Sequence, residues 1–437
     1  MKRKGKVVLG MFVVVMIFAI GASLLMAEAK KEKSLKGITL RWITGPHATT
    51  DAVLALLPEF ENETGIKVIP DIMDEEREFT KITTEFAAGS LSYDVISVRD
   101  TDIPTFIDMG IIRPIDDLIN LDILPVPGCD IEDYPPALFE TMCRWYGKIW
   151  GFPYLSGATF LAYRKDWFEK DGIAPPTTWN KLLKAAEHFT KGGRYGFVFR
   201  ASRGHHAAYA WYTTTMYAFG ADHFNYDTMM PTYNTPRSVE SLEMLIKLGK
   251  YCPPGYVSFS HEEAVSSYVK GIAAMLSEAD LLIPWVEGEG SEAAGNTEYL
   301  VMPKAYDDVK LWAGNCGWLW TIPTTTKEVE AAMIMLEYFT SKRNEKKMVL
   351  NGGIAQRMST MSDPEILSRW PWYKHVMEAE KVGKWPHPIT TESTAVNVIV
   401  GTHVNAALIG QEKPQDALNK ANKEVYELLK EKGIYNK

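Results

Sequence analysis

Apolar and polar positions alternate along Ile38-Thr39-Leu40-Arg41-Trp42-Ile43, the period of a half-buried strand. Thr44-Gly45-Pro46-His47 then turns the chain into a helix predicted over about 50–61. Thr64-Gly65 stops that helix ahead of a second strand at 66–70. An amphipathic helix at 79–86, a buried strand at 94–98 and a helix at 103–109, closed by Gly110, follow. This alternation predicts a parallel sheet with helices on both faces, and in such sheets ligands lie beyond the carboxyl ends of the strands.

The middle of the chain changes character. Gly147-Lys148-Ile149-Trp150-Gly151-Phe152-Pro153-Tyr154 reads as a Gly-punctuated apolar strand, followed by a second strand ending in Tyr163 and a short helix closing at Gly172. Pro175-Pro176 cannot sit inside a helix, and Thr177 or Thr178 caps the next one, whose Leu182, Leu183, Ala186 and Phe189 recur at helical spacing. Beyond it the pattern predicts a strand at 195–199, a helix at 209–219, a loop at 222–236 and helices at 238–250 and 261–270. Strands follow at 271–276, 299–303 and 317–323.

Length and charge narrow the reading. A chain of 437 residues exceeds one compact core and suits two lobes. The formal net charge of −8, without an arginine-rich run, excludes nucleic acid as a natural partner. Four cysteines offer no metal-binding spacing; Cys129 and Cys143 are close enough in sequence either to bridge in an exported protein or to stay as two buried thiols. Lys2, Arg3, Lys4 and Lys6 precede an apolar run to Met26, and Ala27-Glu28-Ala29 supplies the small residues of a cleavage site. Residues 1–29 therefore read as an export signal, with an uncleaved membrane anchor as the alternative.

The stretch from Gly147 to Trp179, with its Tyr163-Arg164-Lys165-Asp166 and Pro175-Pro176-Thr177-Thr178-Trp179, resembles the pattern that marks the crossing between lobes in the family 1 extracellular solute-binding proteins, the sugar-binding components of ABC transporters. Further elements similar to that family follow in order: Tyr268 to Met275; Gly317 to Ile322 with Glu330-Ala331-Ala332 and Phe339-Thr340-Ser341; Gly352 to Arg357; and Pro414 to Leu418. The resemblance implies an α/β, two-lobe periplasmic-binding-protein fold of type II, each lobe a mixed sheet flanked by helices, with hinge crossings between them. It places lobe I at 36–155 plus 312–360, lobe II at 156–302 plus 361–437, and a hinge crossing at 303–311. It further implies an exported monomer without cofactor, metal or catalysis, which captures a sugar or polyol and delivers it to the permease of an ABC transporter.

Thirteen Trp, 20 Tyr and 17 Phe provide flat apolar surfaces for the C–H faces of a sugar, while Asp, Asn and Arg suit its hydroxyl rim. By position, the family's ligand-contacting loops correspond here to Thr44 and His47, to Arg99, Asp100 and Asp102, and to Trp285 and Asn397. Asp102 also suits the cap of the helix that begins at Ile103. Trp318 and Trp320 share a strand face next to an expected crossing. Tyr154, Trp211 and Arg357 lie near expected lobe edges, and Trp370 and Trp372 belong to the densest aromatic cluster, which reads either as a cap over the cleft or as an anchored loop. Gly157 and Asp280 replace residues that contact maltodextrin in a relative, so the ligand is expected to differ from a linear maltodextrin. Two other readings stay open. The same fold could bind an anion such as a glycerol phosphodiester, for which Arg99 and Arg357 speak and Asp100 and Asp102 do not. A secreted carbohydrate-active enzyme would instead need two carboxylates facing the cleft.

Overall fold

The computed structural model of the chain describes residues 35–119 and 129–436. The expected export signal lies outside them. The first half alternates as β1 (Thr39–Thr44), α1 (Ala48–Thr64), β2 (Lys67–Ile72), α2 (Glu75–Ala87), β3 (Val95–Arg99) and α3 (Ile103–Asp108). Gly65 ends α1 in the left-handed region, φ 73°, which lets its N–H return to Glu61 O.

The two strands predicted between Gly147 and Tyr163 merge for most of their length: β4 (Phe152–Arg164) runs unbroken for 13 residues, every one of them buried. Elements α4 (Trp179–Phe189), β5 (Val198–Phe199), α5 (His205–Trp211), α6 (Pro236–Gly249), α7 (His261–Val269), β6 (Met275–Ala279) and β7 (Thr297–Leu300) follow. Then come β8 (Ala313–Thr321), α8 (Val329–Thr340), α9 (Lys342–Leu350), α10 (Pro364–Arg369), α11 (Tyr373–Glu380), β9 (Gly383–Lys384), α12 (Ser393–Leu408) and α13 (Pro414–Glu431). Thr178 caps α4 by accepting from Lys181 N.

Strand order is β2-β1-β3-β8-β4-β6-β5, with β7 also on β4 and β9 on β8. The first half of β4 pairs antiparallel with β8, from Phe152↔Trp320 to Ala158↔Asn315. Its second half pairs with β6, from Thr159↔Ala279 to Tyr163↔Met275. A single strand therefore changes partner between Ala158 and Thr159. On one side lies a core containing Trp42, Phe60, Ile96, Phe152, Trp320 and Phe339. A second core gathers Leu182, Trp211, Leu242, Val400 and Val425, and a third, with Phe160, Leu276, Trp372 and Tyr373, packs on the far half of β4.

Some expectations need correction. The strand expected from Gly271 starts only at Met275, because Gly271 sits at φ 64° in the turn that ends α7. The helix expected from Tyr209 begins at His205 and widens after Trp211 before ending at Gly220. The supposed loop at 222–236 contains a small hairpin, Phe224–Asn225 with Met230–Pro231. Cys129 and Cys143 are free thiols: Cys129 Sγ donates to Glu337 Oε1 at 3.1 Å, and Cys143 lies in the first core. Among the described residues no helix is long and apolar enough to cross a membrane.

Gly317 allows β8 to approach β4 closely, since a Cβ there would sit 2.0 Å from Leu155 O and 2.6 Å from Ser156 Cα. Both are backbone atoms of the strand that carries both halves. Gly317→Ala should therefore cost about 1–3 kcal/mol, read as a lower urea midpoint; an unchanged midpoint would contradict this packing.

Candidate ligand site between the lobes

The carboxyl end of β3 supplies Arg99, Asp100 and Asp102. Asp102 stands at the head of α3, yet it makes no capping bond. It closes a 3-10 turn, Asp100–Asp102, with helical φ −97° and ψ −14°. Instead it accepts from Arg99 Nε at 3.1 Å and, at 3.2 Å, from Thr394 Oγ1 on α12, which belongs to the second core. Arg99 also reaches Glu75 at 3.2 Å. Close by, Thr105 Oγ1 donates to Thr391 O at 2.8 Å. These bonds join the two halves of the molecule at the strand ends, where an α/β sheet places its ligand.

Asp100 is buried beside them. Its Oδ2 accepts from Gly317 N at 3.0 Å and its Oδ1 from Thr101 N at 2.6 Å. His387 Nε2 lies 4.0 Å from Oδ2. Asn397 Nδ2 is 3.2 Å from His387 Nδ1; when the amide donates there, the ring proton sits on Nε2, facing Asp100. His387 stacks on His205, centroids 5.4 Å apart, and lies 6.0 Å from Tyr209. Tyr209 OH is 3.5 Å from Cys316 Sγ, and Arg200 covers the Tyr209 ring at 4.3 Å. Arg200 forks onto Glu278 through Nε (2.6 Å to Oε1) and Nη2. A continuous polar path thus runs from β3 to the end of β6.

His47 borders Trp318, centroids 4.5 Å apart. Thr44 and Tyr154 lie just behind: Tyr154 OH meets Thr50 Oγ1 and, at 3.5 Å, Thr44 Oγ1, and its ring stacks on the fully buried Trp320. Of the residues singled out in the sequence, Thr44, His47, Arg99, Asp100, Asp102, Tyr154, Trp318 and Asn397 thus gather around the strand ends, whereas Trp320 lies inside the first core, opposite Ser97. The others are not brought to that point. Trp211 is enclosed in the second core and donates to Ser241 Oγ at 2.8 Å. Arg357 is fully buried and donates to Cys129 O (2.8 Å), Asp130 O (2.9 Å) and Thr340 O, which ties three segments together. Trp372 packs on Tyr373, with Trp370 partly buried beside the same core. Trp285 is half exposed, 6.2 Å from His261.

Sequence reading misses Arg200, His205, Tyr209, Glu278 and His387. The rule that ligands lie at the carboxyl ends of such strands points to Arg200 after β5 and Glu278 near the end of β6. His205 invites attention in the sequence only as the neighbour of His206 in a metal pair; the two diverge, His206 meeting Ser202 Oγ at 2.7 Å.

Residues 47–346 match the profile of the bacterial extracellular solute-binding proteins. The chain belongs to this family. Among relatives of this solute-binding protein, a probable amino-acid ABC transporter periplasmic-binding protein of Sinorhizobium fredii is 23% identical, covering 93% of either chain. The erythritol/L-threitol-binding protein of Mycolicibacterium smegmatis is 24% identical, over 74% of this chain and 70% of its own. In three dimensions, the ribitol complex of an ABC transporter solute-binding protein from Agrobacterium radiobacter superposes with a TM-score of 0.82 at 26% identity, covering 91% of this chain and all of that one. The type II two-lobe fold follows.

Burial pushes the Asp100 carboxyl up to about 7, opposed by the Gly317 amide, Arg99 and the Thr101 amide. Burial also lowers His387 to about 3, with His223, Arg99 and Arg200 adding to it. A raised carboxyl keeps, in the folded state, a proton that the unfolded chain releases near pH 4. Its contribution to stability therefore falls as pH rises from about 4 to 7. The neutral histidines act oppositely, because the unfolded chain binds protons there as pH drops below about 6.5. Asp100→Asn removes the first slope alone, so its stability relative to wild type should rise by a few kcal/mol across that window. Urea unfolding at a series of pH values measures it, and a pH-independent difference would contradict the assignment.

Proposed function

We propose that this solute-binding protein is exported, captures a small neutral polyol between its lobes and delivers it, as a monomer and without chemistry, to the permease of an ABC transporter. One observation carries the choice of ligand: the arginines at the lobe boundary are already paired. Arg99 is held by Asp102 and Glu75, and Arg200 by Glu278. The boundary thus offers fixed donors and acceptors for hydroxyl groups, but its cations are neutralised before an anion could arrive. This speaks against a phosphodiester, and against the carboxylate of an amino acid despite the name of the Sinorhizobium relative. Asp100 accepts main-chain bonds on both oxygens, which fixes its orientation toward a ligand. The ribitol bound by the Agrobacterium protein and the tetritols in the name of the Mycolicibacterium one support a short alditol.

A ligand that binds only the native state raises its melting temperature, by an amount equivalent to about 2.7 kcal/mol at a hundred times Kd. Thermal-shift measurements with erythritol, ribitol and mannitol, set against glycerol phosphate and a panel of amino acids, should show a shift with at least one alditol and none with the charged compounds. A response confined to the charged compounds would overturn the proposal.

A further inference from the structure

A recess opens beside the lobe boundary, between α2 and the β3–β8 pair. Its lining includes Glu75, Glu78, Phe79, Arg99, Asp102 and Trp318. It admits a group of about the size of a water molecule. One wall, Asp102, is the residue that bonds to Thr394 across the boundary.

Two hydrogen-bonding groups in this lining stand out. Glu78 is 5% exposed, and its Oε1 is buried without a partner; Trp318 Nε1 is likewise buried and unpaired. On the other face of the same indole, His47 Nε2 is a third such atom. Leaving buried polar groups unsatisfied is costly, so two of them in the lining of one hydroxyl-sized recess point to a guest that supplies the missing bonds. The chemistry of that guest follows from the pair. An indole N–H can only donate, so the guest must accept. A carboxyl oxygen with an open lone pair accepts, so the guest must also donate. An alcohol does both with one atom, whereas an ammonium ion cannot accept, and a carboxylate would bring a further negative charge beside Glu75 and Asp102. A narrow recess also favours a terminal hydroxymethyl group over a ring, because only a chain end can enter it.

We infer that Glu78 and Trp318 form a specificity subsite that takes one terminal hydroxyl of an acyclic polyol, inserted end-on. The inference rests on the polyol reading above and adds which portion of the ligand is read, and by which atoms. The charge around Glu78 is consistent with it. Burial pushes the Glu78 carboxyl up to about 9, Glu75, Asp102 and Asp71 push the same way and Arg99 opposes, so at neutral pH Glu78 is an uncharged acid that offers both a donor and an acceptor.

Titration calorimetry with ribitol and with its 1,5-dideoxy analogue tests it; both ends must be removed, because an analogue lacking one could reverse and insert the other. Wild type should prefer ribitol by at least about ten-fold. Glu78→Leu and Trp318→Phe should each weaken ribitol binding by about ten-fold and shrink that preference by a similar factor. Glu78→Gln, whose amide reproduces the donor and acceptor of the neutral acid, should retain affinity and preference to within about three-fold. Unfolding midpoints without ligand identify any variant that fails to fold, and Trp318→Phe keeps an aromatic ring in place. If wild type binds ribitol while Glu78→Leu and Trp318→Phe keep the full preference, the subsite is overturned and the polyol reading stands. If wild type binds none of erythritol, ribitol and mannitol, both fall.

Discussion

The change of partner along β4 is the constraint on which the rest of the molecule depends. Seven residues of this strand, Phe152 to Ala158, run beside β8, and the next five, Thr159 to Tyr163, run beside β6. Hydrogen bonding is continuous through the changeover, so the two halves share a stiff ladder there instead of a flexible linker. Close backbone approach is what makes this possible. Gly317 faces the Leu155 carbonyl, and Gly157 leaves room for the Asp280 carboxyl, which a Cβ would meet at 2.0 Å. The ends of β3, β5 and β6 lie together beside this ladder, and the buried polar path from Asp100 to Glu278 forms where they meet.

That path sets what the boundary can offer a ligand. Its charges are arranged as internal pairs, Arg99 with Asp102 and Glu75, and Arg200 with Glu278. Breaking one member of a buried pair is costly, so each arginine stays with its carboxylate and presents only its remaining N–H groups. Between the pairs, the histidines are held neutral by burial, with His205 kept well below its ordinary range and His387 lowered to about 3. Neutral imidazoles and paired ions together offer donors and acceptors at fixed geometry, and the proposed polyol, which is all hydroxyls and no charge, fits that environment.

Much of the framework was legible in the sequence. The strand–helix alternation up to Gly110, the Thr178 cap and the Gly65 stop are local rules, and they survive folding because short-range backbone geometry decides them. Asp100 and Asp102 were legible as site candidates because they match, by position, the loop after the third strand that contacts ligand in the family the sequence resembles. Length of pairing was not legible. Phe152 to Arg164 reads as two strands because Pro153 and Gly157 look like interruptions, yet pairing with β8 keeps the chain extended through them. The role of Asp102 was hidden for another reason: its position satisfies a capping rule, while Arg99 and the distant Thr394 compete for the same carboxylate and win. Arg357 shows the reverse case. A lone arginine near an expected crossing invites a ligand role, and only the fold reveals the three carbonyls that hold it. His387 comes from a segment that draws attention only for its tryptophans.

Closure about the shared ladder is the central claim. A ligand that touches both halves stabilises only the arrangement in which both are within reach, so binding should shift the population toward the compact form. Small-angle scattering of the ligand-free protein and of the protein saturated with the alditol that gives the largest thermal shift measures this directly. The account predicts a smaller radius of gyration with ligand, with the change lost when the alditol is removed by dialysis. An identical radius at saturation, with binding confirmed in the same sample by calorimetry, would contradict it.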